Sequence, residues 1–366
     1  MCVHDHPQRF TGVRDLARLP YFKVEDGRLK LADRSLGASI DFHTHLTLAY
    51  VRPCQVDLHK LHPETLNYMP GDNAIDIGHY GNLDFTRRDL RRLKLDLSLG
   101  SLTARGMRVT HTAANLARDM DDLNIRHSVL LPIDFPVLSD NAGTWLDAVA
   151  GDPRFICYGS VHPYATRREE RLDRQVAKGA TGVKVHPNVQ SVAPEHERSM
   201  AIYRMCEDRG LIVFWHCGPV GIASAAGDRR TQVARYEQPI RDLPGCTFVL
   251  GHAGALQNED ALELARKYPN VYLELSGQSV ERIQRMIARG PTDRMVYGTD
   301  WPWYHQAIGL AKLLLATEGQ YDVREKIMYG NAARLLGLPA QPGPRVVVPP
   351  PAPGLTASAP AAHSLS

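Results

Sequence analysis

The chain has 366 residues, of which 43% are apolar and 23% are charged, values typical of a soluble globular enzyme with one large domain. The net charge of +3 is too small to indicate nucleic-acid binding. No stretch of about 18 apolar residues predicts a membrane span, and the N-terminus lacks the basic and apolar pattern of a signal peptide. The cysteines are scattered without a Cys-x-x-Cys, which favours a reducing, cytoplasmic compartment.

Residues 1–37 are predicted to form a lead-in that contains one short β-hairpin. Two strand-like runs, 21–25 and 28–31, flank the dipeptide Asp26-Gly27. This dipeptide is typical of two-residue hairpin turns, because both positions need a positive φ.

The first strand of the main domain is predicted over 38–45 and carries a His-x-His pair at its end. Side chains alternate along a strand, so His43 and His45 are expected to point to the same side. Two imidazoles placed in this way can share one metal ion.

A long insertion, 47–105, follows the first strand. It is rich in Pro, Gly, Asp and His and has no strong strand pattern, which is typical of a functional or separately structured segment. A helix predicted over 85–97 carries Arg87, Arg88 and Arg91. These arginines form either a solvated helix face or a docking surface for an anionic part of a substrate, such as a phosphate-bearing acyl carrier.

From residue 108 onward, short apolar strands alternate with helices. The strands are almost continuously apolar, as expected where both faces of a sheet are covered. Together with the first strand they predict an α/β fold, a (β/α)8 TIM barrel over 38–338. An open doubly wound sheet is the alternative, but no Gly-x-Gly-x-x-Gly follows any strand. The strands are predicted at 38–45, 127–132, 155–161, 182–187, 211–216, 246–252, 271–275 and 295–300. The helices after the insertion are predicted at 109–123, 144–149, 167–178, 195–209, 232–241, 258–268, 280–289, 306–317 and 323–336.

The last segment, 339–366, consists mainly of Pro, Ala and Ser and has almost no large apolar residues after Val348. Such a composition cannot bury enough surface to offset the entropy of ordering. We therefore predict a disordered tail.

Polar residues that can bind a metal ion stand at the C-terminal ends of five of the predicted strands. In a barrel these ends meet at one mouth, where active sites are built. Five imidazoles and one carboxylate at such positions predict a metal centre rather than separate structural histidines. The residues are His43, His45, Lys184, His186, His216, His252 and Asp300.

The order of these residue types resembles the amidohydrolase superfamily. That pattern has His-x-His on strand one, Lys on strand four, His on strands five and six, and Asp on strand eight, and every position is matched here. The local sequences Gly182–Pro187, Gly251–Gly254, Tyr297–Pro302 and Tyr329–Leu336 resemble its amidohydrolase-2 branch, which includes aminocarboxymuconate-semialdehyde decarboxylase-like proteins. The resemblance covers residues 38–337, while the insertion departs from the pattern.

The resemblance implies one or two divalent metal ions, with nitrogen and oxygen ligands that suit Zn, Fe(II) or Mn. The binuclear arrangement is favoured, with Lys184 carboxylated by CO2 so that its carbamate bridges the two ions. In it His43, His45, Lys184 and Asp300 hold one ion, and Lys184, His216 and His252 hold the other. The alternative is a single zinc held by His43, His45, His216 and Asp300, with Lys184 as a cationic substrate anchor and His252 as an acid/base group.

The implied reaction is hydrolysis, in which a metal-bound hydroxide attacks an activated carbonyl of an ester, lactone, amide or thioester. Asp300 and His252 are the predicted catalytic residues, and Asp300 takes the proton of the attacking water. If the insertion arginines bind phosphate, an acyl-CoA thioester is the candidate substrate. Non-oxidative decarboxylation of an aromatic or enoic carboxylic acid is the alternative reaction, and a non-catalytic binding barrel is the alternative class.

Further residues near the predicted mouth are candidate substrate contacts. Aromatic rings after Asp300 are suited to an apolar pocket wall, although simple loop packing also explains the two Trp residues. A small-molecule substrate is expected, with no nucleic-acid or membrane partner, and a homodimer is left open. His111 is predicted to be a structural residue inside a helix, and the direction of Glu274 on strand seven is left open. The candidate substrate contacts are His162, His186, Trp301, Trp303 and Tyr304.

Overall fold

The structure is a computed structural model that describes residues 6–50, 53–135 and 139–340. Within these ranges the strands are β1 Arg9–Phe10, β2 Phe22–Glu25, β3 Arg28–Leu31, β4 Ser39–Thr44, β5 Ile75–Asp76, β6 Ile125–Leu130, β7 Phe155–Cys157, β8 Gly182–Val185, β9 Ile212–His216, β10 Phe248–Gly251, β11 Val271–Glu274 and β12 Met295–Val296. The α-helices are α1 Arg87–Leu97, α2 Ala113–Asp122, α3 Asn141–Ala148, α4 Arg168–Ala177, α5 Glu197–Asp208, α6 Ala225–Arg230, α7 Glu237–Asp242, α8 Asn258–Lys267, α9 Val280–Arg289, α10 Gln306–Ala316, α11 Tyr321–Glu325 and α12 Asn331–Leu336. Short 3-10 helices cover Val13–Arg18, Arg34–Leu36, Gly81–Asp84, Gly100–Leu102, Met107–Thr110, Val233–Tyr236, His252–Gln257 and Thr292–Arg294, and a π-helical turn covers Lys326–Gly330.

Eight parallel strands, β4 and β6 to β12, form a closed barrel. They pair in chain order as a three-stranded group, β4-β6-β7, and a five-stranded group, β8 to β12. Bridges between Gly159 and Val183 and between Thr44 and Trp301 close the two seams. At the second seam the backbone N–H of Asp300 donates to the carbonyl of His43 over 2.8 Å. The predicted TIM barrel is therefore confirmed, with its eight strands in the predicted order.

Two apolar layers pack against the barrel strands. The inner layer fills the barrel, as in other TIM barrels, and includes Phe42, Tyr158 and Phe214, all fully buried. The ring centres of Phe42 and Phe214 lie 6.3 Å apart, nearly parallel. Tyr329, from the π-helical turn, belongs to the same cluster. The alternate strand residues, such as Val183 and Leu250, lie in the outer cluster with residues from the helices.

Strand β4 contains register irregularities that change which residues face inward. Its pairing with β6 shifts between Ser39 and Ile40 and again between Asp41 and Thr44. A bulge adds a residue to one strand and redirects the side chains that follow it. As a result, both Phe42 and His43 approach the ring of Phe214, which lies 4.8 Å from the His43 ring.

The lead-in and the insertion pack on the barrel and on each other. The predicted hairpin is confirmed: β2 and β3 pair antiparallel, and Asp26 and Gly27 both have positive φ. Strand β1 pairs antiparallel with β5, so the insertion contains a short strand that the sequence pattern did not indicate. Helix α1 begins after Thr86, whose side chain and backbone form a capping box with Asp89.

The insertion lies over the mouth of the barrel and is attached there by backbone hydrogen bonds. Tyr68 N donates to the carbonyl of Pro302 over 3.0 Å, and Met69 N donates to that of Trp303 over 2.9 Å. Gly81 N donates to the carbonyl of Gly277 over 2.8 Å. We call the segment 66–82 the roof.

One helix begins later than its sequence pattern predicts. Thr112 caps α2 by accepting a hydrogen bond from Asn115 N over 3.1 Å, so the helix starts at Ala113 rather than near Val109. His111 therefore lies before the helix, not inside it. Its Nε2 lies 2.9 Å from the carbonyl of Leu66, which supports the structural role predicted for it.

At the C-terminal end, the described residues extend to Ala340. Of the predicted tail, the structure describes Pro339 and Ala340, and the carbonyl of Pro339 accepts a hydrogen bond from Tyr329 Oη over 3.3 Å. Residues 341–366 lie outside the described ranges, so disorder there stays a prediction, as do the limits 1–37 and 38–338.

The described cysteines agree with the expectation of unpaired thiols. Cys54, Cys157, Cys206, Cys217 and Cys246 are all free, and all but Cys54 are buried. The cytoplasmic compartment stays a prediction. Across the described ranges, every helix is too short or too polar to cross a bilayer.

Candidate metal centre

Three predicted ligands, His43, His45 and Asp300, meet at the mouth of the barrel. The Nε2 atoms of the two histidines lie 3.2 Å apart. Asp300 Oδ1 lies 3.4 Å from His43 Nε2 and 3.3 Å from His45 Nε2. All three side chains are buried, so these atoms form a compact cluster with little access to bulk water.

The hydrogen bonds on the far side of each ring show which nitrogen of each histidine is free. His45 Nδ1 lies 2.7 Å from the carbonyl oxygen of Leu131, which can only accept, so Nδ1 carries the proton. His43 Nδ1 lies 2.7 Å from Glu274 Oε2. Burial lowers the pKa of both imidazoles, and that of His43 falls well below its usual range. Burial therefore favours the neutral form of both rings, and with Nδ1 protonated the Nε2 lone pair of His45 faces the cluster.

The spacing of the three atoms fits the coordination shell of one divalent ion. With ligand bonds of about 2.0–2.1 Å, neighbouring ligands in a tetrahedral shell lie about 3.3–3.4 Å apart. The observed separations of 3.2, 3.3 and 3.4 Å match this value. His43, His45 and Asp300 can therefore hold a metal ion without rearranging.

Asp41 holds the first and last barrel segments of the site together. Its carboxylate accepts hydrogen bonds from His43 N at 3.1 Å, Thr299 N at 2.9 Å and Gln306 Nε2 at 2.7 Å. Burial raises the pKa of the Asp41 carboxyl to about 7, while these donors act in the opposite direction. Asp300, the residue after Thr299, has a φ of 61°. This left-handed conformation turns its side chain toward the histidines.

His252 reaches the site by a route that differs from the predicted one. Strand alternation predicts that Leu250 and His252 share a face, but Leu250 packs in the outer layer. His252 has φ of 56°, so its backbone has left the strand, and its ring centre lies 4.8 Å from that of His43. Burial lowers the pKa of the His252 imidazole to about 4. Strand alternation therefore does not determine the direction of His252, which joins the cluster because its backbone turns out of the strand.

Lys184 lies beside the cluster on the floor formed by Phe214. Its Nζ lies 3.5 Å from His43 Nε2 and 4.3 Å from the centre of the Phe214 ring. Burial lowers the pKa of the Lys184 amine to about 7, and the negative charges of Asp300 and Glu274 oppose this shift. An amine with such a pKa can be either a cation or a nucleophile near neutral pH.

His186 and His216 form a stacked pair on the opposite side of the mouth. Their ring centres lie 4.0 Å apart with an angle of 11° between the planes, and the His216 ring lies 4.9 Å from that of His252. Burial lowers the pKa of both imidazoles well below the usual range. Within the described residues, the buried Nε2 of His216 has no hydrogen-bond partner. An orphaned imidazole nitrogen at this position fits a role in binding a metal ion or a substrate.

The aromatic residues after Asp300 are distributed around the mouth rather than forming one wall. The Trp303 ring lies 5.5 Å from that of His45 and 4.9 Å from that of Tyr68 in the roof. Trp301 instead directs its indole N–H to Asp119 Oδ2 on α2, over 3.1 Å. Tyr304 is also buried and hydrogen-bonds to Asn82 of the insertion. Only Trp303 of these three lies against the ligand cluster.

The other predicted substrate contacts lie further from the cluster or have no free polar atom. His162 uses both ring nitrogens, since Nδ1 accepts from Tyr164 N at 3.1 Å and Nε2 lies 3.1 Å from the carbonyl of Gln190. The three arginines of α1 that were predicted to dock a substrate are exposed and form no ion pair with any described residue. They lie on the outer face of the insertion helix. These residues are Arg87, Arg88 and Arg91.

The structure adds two residues of β11 and the loop after it that the sequence did not assign. Glu274 and Ser276 are almost fully buried and contact both His43 and His252. A carboxylate in the otherwise apolar run 271–275 was the available signal, because a buried charge needs polar partners. Burial raises the pKa of the Glu274 carboxyl to about 8, and hydrogen bonds from His252 N and Ser276 oppose the shift.

The fold and the site together define a class of protein. A closed barrel of eight parallel strands gathers imidazole, carboxylate and amine groups at the C-terminal ends of its strands. This is the arrangement of TIM-barrel enzymes with a metal centre at the barrel mouth.

Comparison with known proteins gives the family. The amidohydrolase family model matches residues 40–338, so the chain belongs to the amidohydrolase family, whose members are metal-dependent enzymes. This confirms the family expected from the residue pattern. No curated protein sequence matches the chain.

Solved structures with the same fold share little sequence with this chain. An uncharacterised TIM-barrel protein from Bordetella bronchiseptica is 20% identical with a TM-score of 0.56, over 82% of this chain and 99% of that one. A dihydroxybenzoic acid decarboxylase from Polaromonas, with bound manganese and 2-nitroresorcinol, is 16% identical with a TM-score of 0.55, over 82% and 97%. A probable 2-pyrone-4,6-dicarboxylic acid hydrolase from Acinetobacter baumannii is 16% identical with a TM-score of 0.51, over 82% and 100%. At these identities the likeness shows the fold alone.

Proposed function

We propose that the protein is a metal-dependent hydrolase that cleaves an activated carbonyl compound of low molecular mass. The observation that carries this proposal is the convergence of His43 Nε2, His45 Nε2 and Asp300 Oδ1 within 3.4 Å of one another. A divalent ion held there would lower the pKa of water and polarise a carbonyl oxygen. The family supports a metal-dependent reaction, and the geometry supplies the place for it.

The residues around the cluster are suited to moving protons and binding an anion. Asp300 has a second carboxylate oxygen that can take a proton from the attacking water. The His252 ring, whose centre lies 4.8 Å from that of His43, can take a proton or return one to the leaving group. Lys184, with its amine beside His43, can hold a negatively charged group of the substrate when protonated.

We infer one tightly held ion rather than two. Among the described His, Cys, Asp and Glu side chains, the groups of three close enough to share an ion are His43 with His45 and Asp300, and His43 with His252 and Glu274. The second group is already connected through the hydroxyl of Ser276. His216 belongs to neither group. The binuclear arrangement with a carbamate on Lys184 stays a prediction that metal content and mass can test.

Enclosure of the site argues for a small substrate. The Tyr80 ring of the roof lies 6.5 Å from that of His252, and Asn82 donates to the carbonyl of Val220 over 2.9 Å. A compact lactone or ester fits under such a roof better than a long acyl chain. An acyl-CoA substrate docked on the α1 arginines stays a prediction, since those side chains lie on the exposed face of the insertion.

Decarboxylation is a second candidate, and the aromatic surroundings of the site favour it. The Phe214 ring lies 4.8 Å from that of His43, and the Trp303 ring lies 5.5 Å from that of His45. Aromatic surface next to the cluster suits a planar aromatic acid. Lys184 could bind its carboxylate. Turnover in water labelled with heavy oxygen separates the two reactions, because hydrolysis places one solvent oxygen in the acid product and decarboxylation places none.

The variant Asp300→Asn tests the proposed hydrolysis. Removing the proton acceptor should lower turnover of a responsive ester or lactone by about a thousandfold or more, while part of the metal stays bound. Turnover and metal content are measured on the same preparation. Asp147→Asn, which changes an exposed carboxylate on α3, is the matched control. Near-normal turnover in Asp300→Asn would remove this residue from the chemistry and contradict the proposal.

A further inference from the structure

We propose that Glu274 and Ser276 are a pair of positioning residues that fix the protonated nitrogen of two histidines, His43 and His252, in different ways. Glu274 sets His43 for metal binding, and Ser276 sets His252 for proton transfer. The inference rests on the proposed function for the second role, although the first concerns metal binding alone. Neither residue was predicted from the sequence.

The contacts of the pair form one connected network beneath the cluster. Glu274 Oε2 lies 2.7 Å from His43 Nδ1 and 2.9 Å from Ser276 Oγ. Ser276 Oγ in turn lies 2.9 Å from His252 Nδ1 and 3.2 Å from His43 Nδ1. Glu274, Ser276 and His43 are at most 1% exposed and His252 3%, so bulk water does not compete for these bonds.

The backbone assigns both oxygens of Glu274 as acceptors. The N–H of His252 donates to Oε2 over 3.0 Å, and the N–H of Ser276 donates to Oε1 over 2.5 Å. Both are backbone amides that can only donate. A divalent ion held by His43, His45 and Asp300 would favour the carboxylate form of Glu274 despite its burial. In that form Glu274 also accepts from His43 Nδ1, which leaves the Nε2 lone pair of His43 directed at His45 and Asp300.

The hydroxyl of Ser276 then determines the state of His252. A hydroxyl has one proton, and Glu274 Oε2 is its acceptor in the network. The hydroxyl can therefore only accept from His252 Nδ1, so this nitrogen carries the proton. The remaining nitrogen, Nε2, is unprotonated, and His252 is ready to take up a proton during the reaction.

Substitutions at the two positions should therefore have different effects on zinc affinity and on turnover. An amide at position 274 offers one acceptor oxygen in place of two, so Glu274→Gln must turn an N–H2 group against a donor. Partners that orient a ligating histidine typically contribute 10–100-fold to metal affinity. We expect Glu274→Gln to weaken zinc binding by about that factor. Ser276→Ala should leave zinc affinity within about twofold of the unchanged protein but lower turnover by about 10–100-fold.

The decisive measurement is nitrogen NMR of the imidazoles in the zinc-loaded protein, with histidine labelled with nitrogen-15. The chain has 16 histidines, so His43→Gln and His252→Gln assign the two rings. We expect His252 to carry its proton on Nδ1 in the unchanged protein, and to lose this preference in Ser276→Ala. Ser128→Ala is the matched control, since Ser128 is a buried strand residue whose hydroxyl has no partner among the described residues.

Two results would overturn the proposal. The first is a proton on Nε2 of His252 in the unchanged protein, which would mean that the hydroxyl of Ser276 donates to this ring. The second is equal loss of zinc affinity in Ser276→Ala and Glu274→Gln, which would make His252 a ligand. Neither the NMR signals nor zinc affinity needs a substrate. If only the hydrolase proposal fails, hydrolysis is absent while the expected proton positions and zinc affinities are still observed.

Discussion

The two sides of the barrel mouth are built in different ways. On one side, His43 and His45 each have a hydrogen-bonded Nδ1 that orients the ring. Their Nε2 atoms already lie 3.4 and 3.3 Å from Asp300 Oδ1, the spacing of neighbouring ligands around one ion. On the other side, His186 and His216 stack on each other, and the buried Nε2 of His216 lacks a partner within the described residues.

The difference shows which half of the site is complete before a ligand arrives. Rings whose second nitrogen is held by an acceptor lose little entropy when a metal ion binds, so the first side is preorganised. A buried nitrogen without a partner is costly, and a ligand that satisfies it recovers that cost. The first side is therefore suited to permanent metal binding, and the second to a ligand that comes and goes.

The largest difference in zinc affinity is expected between two variants, each of which removes one histidine from one side of the mouth. We expect His45→Ala to lower zinc affinity by more than about a hundredfold, because it removes a ligand from the preformed cluster. His216→Ala should keep about one zinc per chain and mainly raise KM. Equilibrium dialysis with metal analysis gives the comparison.

The same pair of variants also tests the binuclear alternative. Two zinc ions per chain in the unchanged protein, falling to one in His216→Ala, would contradict the one-ion centre and support a second ion held by His216. The unfolding midpoint of each variant shows whether a lost ion reflects a lost fold.

A smaller effect is expected from substituting Asp41, which stabilises only the side of the mouth that holds His43, His45 and Asp300. Asp41→Ala leaves the buried N–H groups of His43 and Thr299 without an acceptor, and we expect a loss of about 3 kcal/mol or more in the free energy of unfolding. Urea unfolding measures it. Asp41→Asn is the matched control, since its oxygen still accepts from both groups. In addition, the unpartnered Oε1 of Gln306 can turn toward the new amide. Equal losses in the two variants would show that packing, not hydrogen bonding, dominates at this position.

The smallest effect should come from removing a side-chain hydrogen bond to the backbone of His216. Tyr236 Oη donates to the carbonyl of His216 over 2.5 Å. Tyr236→Phe should lower the free energy of unfolding by about 1–2 kcal/mol and leave zinc affinity unchanged. Tyr158→Phe is the matched control, since the Tyr158 hydroxyl has no partner among the described residues. A large loss of zinc in Tyr236→Phe would place His216 among the metal ligands.

Strand positions were predictable from sequence because each barrel strand is a short apolar run that ends at a polar residue. This was enough to find the barrel and to bring His43, His45, Lys184 and Asp300 to one mouth. The prediction depended on strand ends converging, which topology guarantees once the barrel closes.

Side-chain directions were less predictable, because local backbone changes alter the alternation. The register shifts in β4 let Phe42 and His43 both face inward, and the left-handed conformation of His252 carries it out of the strand. Trp301 was expected at the mouth but turns to α2, where Asp119 accepts from its indole N–H. The periodicity of apolar residues in the sequence does not predict any of these changes.

The attachment of the roof has a consequence for how this enzyme could diversify. Tyr68, Met69 and Gly81 are tied to the barrel loops through backbone N–H groups, which every amino acid except proline supplies. Gly277 and Gly81 are exceptions, because a Cβ would lie 2.9 Å from the Tyr80 ring at Gly277, where φ is +76°, and 3.0 Å from the Tyr304 ring at Gly81. Asn67 and Asn82 also hold the roof through their side chains, which donate to the carbonyls of Pro302 and Val220. The remaining side chains of the roof can be exchanged while its path is kept. Libraries built at those positions, with both glycines held constant, are a direct way to change substrate preference without disturbing the ligand cluster beneath.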